Sequence, residues 1–392
     1  MADHIPFVYS GKDCAVLRKT YADSVAVRLS LDTLGKVISH LPTGPLKWLD
    51  PAIDGIDRWK NPASVSDSYR VHIERFTGHE QLTDPVFQKA PKKEIVGQFV
   101  NAVLNECTRT IQPDWLSVPQ LPLVSDSGRN KINRQLAEAA DAWRSASSFS
   151  CKLILPVIVT HIKQIQHKAD RNKRIDLLQS CLQLSKADGY WLVDCSLKDQ
   201  EGAQPLESVR FPALINLHQE VTEVVSKDLI SVAGPYWGMN LILWVRGLVR
   251  YPAINLGKSY QYHLPGGKLP AGSERVALPP LKRWAVASPQ LETWLQDTVK
   301  RTPKGDEAHT QSTEILHNFS HLMSDSREQV ATFYKNWFDK LSIVPEPGRS
   351  LALFQDFSSA YVLGKSLKEL PAKEGSGRKP ARVPKQFMVN CL

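Results

Sequence analysis

The regular alternation of helix-like and strand-like segments constrains the fold of this chain more than any other feature. Apolar, strand-like runs begin at residues 115, 151, 189 and 229, so that successive starts lie 36, 38 and 40 residues apart. This spacing is the length of one β-strand together with a crossover helix and its loops. Helical segments precede and separate these runs, at residues 92–108, 130–144, 171–185, 211–226 and 239–249. The sequence therefore predicts a series of parallel βα units.

Further strand-like runs bring the predicted number of strands to about eight. One run lies at residues 252–256, and two earlier ones lie at 24–31 (SVAVRLSL) and 46–49. Two late runs, 276–278 and 284–286, are candidates for the last strands. About eight strands with alternating helices predict an α/β fold, a closed (β/α)8 barrel of the TIM type. The alternative, an open doubly wound sheet, requires a glycine-rich phosphate turn, and the chain has neither GxGxxG nor GxxxxGK followed by Ser or Thr.

The order of the segments divides the chain into three regions. We expect the barrel in residues 1–300, a helical extension in 301–370 and a basic, flexible tail in 371–392. Two helices are predicted within residues 304–342, with prolines after the second. The tail is rich in Lys, Arg, Pro and Gly, which is typical of disorder, with contact to nucleic acid as the alternative.

Composition limits the class of protein. The 49 Lys and Arg residues against 40 Asp and Glu residues give a net charge of +9, which is compatible with a polyanionic partner. No apolar run approaches the roughly 20 residues that a membrane span needs. The six cysteines lie far apart without a CxxC pair, which favours reduced thiols over a zinc ribbon or a disulfide framework. We expect a soluble, cytoplasmic protein that does not associate with membranes.

No metal or other cofactor is predicted. His317 and His321 are four residues apart in a predicted helix, but no glutamate follows His317 to complete an HExxH motif and no cysteine is close. The chain also lacks a GxSxG motif, so the sequence gives no support for hydrolysis by a nucleophilic serine or cysteine.

In a (β/α)8 barrel the functional residues follow the carboxyl ends of the strands. This rule nominates Asp50 and Asp194 as a catalytic pair, because two carboxyl groups in one cavity can serve as base and acid. Each also has a structural interpretation, since Asp50 precedes Pro51 in a turn-forming position and Asp194 is suited to capping a loop. The same rule gives a set of substrate-binding residues: Asp54, Gln120, His161, Gly234, Tyr236, Trp237, Asn255, Lys258 and Tyr260.

Aromatic residues stand beside glycines at two of these strand ends. Tyr236 and Trp237, between Gly234 and Gly238, are suited to stacking on a flat ligand. A packed aromatic pair under the barrel rim is the alternative interpretation. The segment 259–267 (SYQYHLPGG) combines rings, an amide and a flexible turn, so it could close over a base.

The stretch 229–262 (LISVAGPYWGMNLILWVRGLVRYPAINLGKSYQY) resembles part of the tRNA-guanine transglycosylases and their DNA-modifying 7-deazaguanine relatives. Its order matches a late strand, glycine turn, helix, strand and Ser-Tyr segment of that family. Residues 48–50 (WLD) resemble the strand that ends in the family's base-recognising or general-base aspartate, and residues 115–143 resemble the following strand and long helix. The similarity covers about half of the chain at low identity.

The resemblance implies a barrel enzyme that exchanges a base in DNA or tRNA. The chain departs from the family at three places: Asn255 and its neighbours replace the nucleophilic aspartate, the zinc-binding cysteines are absent, and Asp194 stands where a glycine is expected. We therefore predict transglycosylase-like base exchange or N-glycosidic chemistry on nucleic acid. Two alternatives stay open, a non-catalytic nucleic-acid-binding or assembly subunit and a barrel enzyme acting on a small metabolite. A partner protein or a homo-oligomer is compatible with each of them.

Overall fold

The computed structural model describes most of the chain. The described residues are 4–56, 62–83, 92–123, 127–197, 205–256, 261–267, 274–371, 381–383 and 385–392. Within these ranges, no helix combines the length and the apolar character that crossing a lipid bilayer requires.

Eight parallel strands form a closed barrel, which confirms the predicted (β/α)8 architecture. The strands are β1 (Ile5–Val8), β2 (Ala26–Ser30), β3 (Leu46–Asp50), β4 (Trp115–Ser117), β5 (Lys152–Val159), β6 (Gly189–Asp194), β7 (Ile230–Ala233) and β8 (Tyr251–Asn255). Each strand pairs with the next one along the chain, and β8 pairs with β1 through Asn255 and Phe7 to close the ring. Because all the strands are parallel, their carboxyl ends lie at the same mouth of the barrel.

Helices connect most of the strands on the outside of the barrel. Residues 31–45, which are all described, contain two short 3₁₀ turns between β2 and β3 instead of an α-helix. The helices are α1 (Gly11–Thr20), α2 (Asp67–Glu74), α3 (Glu80–Thr83), α4 (Lys93–Thr110), α5 (Ser127–Ala146), α6 (Lys168–Ser185), α7 (Pro205–Val224) and α8 (Met239–Val245).

The hydrophobic pattern explains how these elements pack. Seven of the eight residues of β5 (KLILPVIV) are buried, as expected for a strand with the barrel interior on one side and helices on the other. In α4 the buried side chains of Val96, Phe99 and Val103 recur at intervals of three and four, so they form one stripe. Each such buried side chain contributes about 1.5–3 kcal/mol relative to an exposed one. Burial of the strand side chains and of the helical stripe therefore holds the helices on the barrel.

The strands that build the barrel differ from the predicted set at both ends of the chain. Ile5–Val8 forms β1, although the sequence gives no signal there beyond four apolar residues. The late runs at 276–278 and 284–286 were expected in the barrel, but they form a separate antiparallel hairpin, β9 (Arg275–Leu278) and β10 (Arg283–Val286). The expectation was wrong because the tight turn between these runs joins them to each other and leaves no room for a crossover helix.

A helical region follows the hairpin, as predicted. The two helices expected within residues 304–342 are in fact three, since the chain leaves the helical path near Asn318 and again before Arg327. His317 and His321 consequently lie on different helices. The helices of this region are α9 (Pro289–Arg301), α10 (Glu307–His317), α11 (Phe319–Ser324), α12 (Arg327–Ser342), α13 (Glu346–Ser366) and α14 (Lys385–Val389).

The C-terminal helices pack on the barrel and also enclose a smaller core of their own. That second core includes Val276 from the hairpin and Leu291 and Phe319 from the helices. The end of the chain returns to the barrel, where the ring of Phe387 lies 5.0 Å from that of Phe211 on α7. Phe387 is fully buried, so the described residues from 385 onward form a packed segment.

Candidate active site

Asp50 and Asp194, the predicted catalytic pair, lie at the same mouth of the barrel but on strands that are not neighbours. Asp50 is the last residue of β3, and Asp194 is the last residue of β6. The strands β4 and β5 separate them around the ring. The two carboxyl groups therefore belong to different parts of the rim.

A small cavity opens at the carboxyl ends of β3, β4 and β5. The space between its lining atoms, open solvent included, is about 190 Å³, and the lining includes Asp50, Asp54, Ser117 and Gln120. Asp194 is not among the described residues that line it. The structure thus brings together Asp50, Asp54 and Gln120 from the predicted set.

Asp50 is fixed by contacts to both of its carboxylate oxygens. Its Oδ1 accepts a hydrogen bond from the backbone N–H of Ala52 at 2.7 Å. Its Oδ2 accepts one from the hydroxyl of Ser117 at 2.9 Å and lies 3.2 Å from a guanidinium nitrogen of Arg28. Trp48 donates its indole N–H to the Ser117 hydroxyl oxygen at 2.9 Å. Donors on both oxygens hold the carboxyl group in a single orientation.

Arg28 places a buried positive charge beside Asp50. This residue of β2 is 1% exposed, and its guanidinium carbon lies 4.5 Å from the ring centre of Phe7 and 4.8 Å from that of Trp191. One guanidinium nitrogen also donates to the hydroxyl of Tyr9 at 3.2 Å. Aromatic faces attract a cation, and a buried charge persists only where it is paired. Arg28 and Asp50 therefore act as one electrostatic unit.

Asp54 differs from Asp50 in having one oxygen without a partner. The residue is 4% exposed, its Oδ2 accepts a hydrogen bond from the hydroxyl of Tyr262, and its Oδ1 has no hydrogen-bond partner among the described residues. Burial, followed by the negative charge of Asp50, raises the pKa of Asp54 to about 7, while the Tyr262 hydrogen bond and the Arg28 charge act in the opposite direction. Near neutral pH, this carboxyl group therefore exchanges between its protonated and ionised forms.

The two carboxyl groups of the cavity can divide the work of proton transfer. Asp50 carries a charge that is compensated by Arg28, and Asp54 holds a proton that it can release near pH 7. An acid or base is most effective when its pKa is close to the working pH. Pairs of titratable groups whose environments separate their protonation states are typical of catalytic sites.

The segment after β8 covers the loop that carries Asp54. Ser66 donates its backbone N–H to the carbonyl of Gly266 at 2.8 Å, which joins the segment 261–267 to the start of α2. Gly266 has a φ of +79°, and a Cβ there would overlap the ring of Tyr69. This close approach brings the hydroxyl of Tyr262 to Asp54. The described part of the ring-rich segment 259–267 therefore does lie over the β3 rim.

The environment of Asp194 is closed by its own loop. Its Oδ1 accepts hydrogen bonds from the backbone N–H of Ser196 at 2.8 Å and from the Ser196 hydroxyl at 2.6 Å. Its backbone N–H donates to the hydroxyl of Tyr236, and its Oδ2 has no hydrogen-bond partner among the described residues. Burial raises the pKa of Asp194, and the hydrogen bonds from Ser196 lower it. The carboxyl group thus forms the capped turn that its loop position also predicts.

The aromatic residues after β7 are packed inside the protein. Tyr236 and Trp237 are 2% and 1% exposed, respectively. The indole of Trp237 donates to the carbonyl of Lys282 at 3.0 Å and stacks on Phe333 of α12 at 5.8 Å. The carbonyl of Gly234 accepts a hydrogen bond from the indole of Trp191 at 2.6 Å. These contacts place Trp237 between the barrel and the C-terminal helices, and Trp237 is not among the residues that line the described cavity.

Three further predicted residues lie at different points of the rim. Gln120 donates its amide to the carbonyl of Asn133 at 3.0 Å, which holds it in the cavity wall. His161 is exposed, and its Nδ1 accepts the backbone N–H of Lys163 at 3.1 Å at the start of a 3₁₀ turn. Asn255 is buried at the end of β8.

The last two predicted residues, Lys258 and Tyr260, lie outside the described residues. Among the described residues, no group of three or more His, Cys, Asp or Glu side chains is arranged to hold a metal ion.

Two residues that the sequence rule does not nominate complete the site. Arg28 is the one charged residue in the apolar run SVAVRLSL, and a charge in a strand buried on both faces requires a buried acid nearby. That signal could have identified it. Tyr262 has no such signal, because its partner Asp54 lies 208 residues away along the chain.

Comparison with known proteins adds no family assignment. Neither the scan against protein-family models nor the search of curated proteins finds a match to this chain.

Proposed function

We propose that this barrel is an enzyme that breaks or exchanges the N-glycosidic bond of a nucleotide in nucleic acid, with Asp54 as the proton donor. The observation that carries the proposal is the Asp54 carboxyl group, which belongs to the cavity lining beside Asp50 and whose buried Oδ1 has no hydrogen-bond partner among the described residues. This assignment moves the acid from Asp50 or Asp194 to Asp54. The role of Asp50 is then to favour the protonated form of Asp54 through its negative charge.

The reaction needs an acid because the departing base is a poor leaving group without a proton. As the bond between the sugar carbon and the base nitrogen breaks, its electron pair goes to the nitrogen, which takes the proton from Asp54. Water or an incoming base bonds to the sugar carbon from the opposite face and loses a proton to solvent, from which the Asp54 carboxylate is protonated again. Asn255 occupies the place of a nucleophilic aspartate in the resembling family, so direct displacement fits this chain better than a covalent intermediate.

Charge and sequence resemblance support a nucleic acid as the substrate. The net charge of +9 favours a polyanion, and the stretch 229–262 resembles enzymes that exchange bases.

A second candidate is a barrel that binds nucleic acid without catalysis. It is favoured by the contacts to both oxygens of Asp50, by the closed turn at Asp194 and by Asn255 in the place of a nucleophile. In this candidate Asp54 would recognise a base by hydrogen bonding instead of transferring a proton. A third candidate, an enzyme acting on a small metabolite, would share the acid but would not bind a polymer.

Base release distinguishes these candidates. Purified protein is incubated with tRNA and with single- and double-stranded DNA, with and without added free bases, and the released bases are quantified by mass spectrometry. We expect release or exchange by the wild-type protein, loss in Asp54→Asn and retention in Asp194→Asn. Binding without release by any variant would favour the second candidate, and absence of salt-dependent binding would favour the third.

A further inference from the structure

Gln120 in the cavity wall has a free hydrogen-bond acceptor. The residue follows β4, is 4% exposed and lines the cavity together with Asp54. Its amide nitrogen donates to the carbonyls of Pro119 at 2.8 Å and of Asn133 at 3.0 Å, which uses both hydrogens of the amide. Its Oε1 has no hydrogen-bond partner among the described residues and is not one of their fully enclosed, unpartnered atoms, so it reaches open space. The open space that Gln120 lines is the cavity, to which Oε1 therefore offers its lone pairs.

The surroundings of this amide fix which of its ends faces the cavity. With the amide turned over, its oxygen would face two carbonyl oxygens, none of which can donate a hydrogen bond. The segment is also held by Asn133 of α5, whose Oδ1 accepts the backbone N–H of Leu121 at 2.9 Å and whose Nδ2 donates to the carbonyl of Leu121 at 3.1 Å. Gln120 is therefore an acceptor in a fixed position, with no amide hydrogen left for a ligand.

A second buried glutamine of the rim lacks this property. Gln164, in the loop after β5, is also 4% exposed. Its Oε1 accepts the backbone N–H groups of Thr160 at 2.9 Å and His161 at 3.2 Å, and its amide donates to the carbonyl of Leu123. It is not among the residues that line the cavity. Of these two glutamines, only Gln120 leaves an acceptor for a ligand.

The neighbouring groups of the cavity offer a ligand few donors. Ser117 uses its hydroxyl hydrogen on Asp50. Protonated Asp54 carries its proton on Oδ1, because its Oδ2 accepts the hydroxyl hydrogen of Tyr262. Together these groups present one donor, at Asp54, and one permanent acceptor, at Gln120. Three lining residues are prolines, which have no backbone N–H: Pro51, Pro119 and Pro156.

We propose that Gln120 selects the base, by accepting a hydrogen bond from an N–H group on the edge of the base that faces β4. The inference rests on the proposed function and adds the class of base that the site takes, one that offers an acceptor to Asp54 and an N–H donor to Gln120. A base without that donor displaces water from Oε1 and leaves it unpaired, which weakens binding by roughly 5- to 150-fold. A site built in this way distinguishes bases that differ in a single N–H group.

Binding of free bases measures this selection. The bases are compared in pairs that differ in one N–H donor: adenine and purine, guanine and hypoxanthine, guanine and 1-methylguanine, cytosine and pyrimidin-2-one, uracil and 3-methyluracil. Their affinities for the full-length protein are obtained by equilibrium dialysis about one pH unit below the pKa of Asp54, which is about 7, so that this group is mostly protonated. For the base that binds most tightly, we expect the loss of one donor to weaken binding roughly tenfold or more.

Three variants assign the preference to the oxygen of Gln120. Gln120→Met removes the amide at nearly the same side-chain length and should reduce the ratio of affinities within that pair to about twofold or less. Gln120→Glu keeps an oxygen acceptor and should retain the preference. Gln164→Met, the matched control, removes an amide outside the cavity lining and should keep the wild-type ratio. Circular dichroism establishes that each variant is folded.

Four results would overturn the inference: no preference within any pair in the wild-type protein, no binding of any base, an unchanged ratio in Gln120→Met, or equal losses in Gln120→Met and Gln164→Met. These results are separable from the fate of the proposed function, because dialysis requires no turnover. Failure of the proposed function appears as absence of base release that depends on Asp54. A preference that does not depend on Gln120, found together with Asp54-dependent release, would contradict the present inference alone.

Discussion

The ends of β3 and β6 present buried aspartates at the same mouth of the barrel in two contrasting environments. At β3, Asp50 and Asp54 share an open cavity, and Arg28 compensates the charge of Asp50. At β6, one oxygen of Asp194 accepts hydrogen bonds from Ser196 in its own loop. The carboxyl end of β3 therefore carries two neighbouring carboxyl groups, whereas the carboxyl end of β6 carries a capped turn.

The contrast shows that a raised pKa is not enough to identify an acid catalyst. Burial raises the pKa of both Asp54 and Asp194. Only Asp54 also has a neighbouring carboxylate and a place in the lining of the cavity. A neighbouring charge and a place in the cavity lining, both of which arise only on folding, separate the proposed acid from the carboxyl group that caps a turn.

The largest expected difference between the two regions is in catalysis. A general acid typically contributes roughly 10²–10⁴-fold to a rate, so Asp54→Asn should lower kcat for base release by that factor. Asp194→Asn should retain most of the wild-type kcat, because its carboxyl group does not line the cavity. Steady-state kinetics measures both variants, and circular dichroism establishes that each is folded. A larger loss in Asp194→Asn than in Asp54→Asn would reverse the comparison.

The next effect is on stability and comes from the arginines beside the two carboxyl groups. Arg28→Met leaves the buried Asp50 without its cation, which should lower the free energy of unfolding by about 3–5 kcal/mol. Arg210→Met removes a hydrogen bond from Arg210 to the carbonyl of Ser196, with an expected loss of about 1 kcal/mol. Urea denaturation of both variants gives the two values. Equal losses would contradict the pairing of Arg28 with Asp50.

The pH dependence of stability gives a third, smaller contrast. The pKa of Asp54 is raised from 3.8 to about 7, so between these values the folded protein binds the proton and the unfolded protein does not. Its contribution to stability is complete below pH 3.8 and is lost as the pH rises through 7. In Asp54→Asn, the urea concentration at the midpoint of unfolding should therefore change less with pH in the neutral range.

His4 supplies a control of opposite sign. Burial, followed by the charge of Lys335, lowers the pKa of His4 from 6.5 to about 3. The unfolded chain then binds the proton first, so stability is lost as the pH falls from 6.5 towards 3. This acidic part of the curve should persist in Asp54→Asn. If it disappeared together with the neutral part, the neutral effect could not be attributed to Asp54.

The smallest effect is expected from the two tyrosines. The hydrogen bond from Tyr262 lowers the pKa of Asp54, so Tyr262→Phe should move the pH profile of kcat/KM upward while changing the maximal rate only a few-fold. Tyr236→Phe removes the corresponding hydroxyl beside Asp194 and should leave the profile in place. A shift of the profile in Tyr236→Phe would place Asp194 in the catalytic machinery.

The sequence predicts the barrel well and its first strand poorly. Long segments such as α4 and β5 carry enough buried residues for their periodicity to be visible. β1 has only four residues, so it becomes a strand only because β2 and β8 pair with it. The hairpin of β9 and β10 has strand composition as well, and composition does not say which sheet a strand joins.

The site is predicted in part for a similar reason. The strand-end rule identifies Asp50, Asp54 and Gln120 from local position alone. It cannot rank Asp54 above Asp194, because the difference depends on Arg28 and Tyr262, which reach the β3 rim only through the closure of the barrel.

The most direct test is the protonation state of Asp54. The protein is labelled with ¹³C at the aspartate side-chain carboxyl carbon, and spectra of the wild-type protein and of Asp54→Asn are recorded over a pH series. The account predicts one carboxyl resonance that titrates at about pH 7 and is absent from Asp54→Asn but present in Asp194→Asn. A resonance assigned to Asp54 that titrates near 3.9, the ordinary value for aspartate, would contradict it.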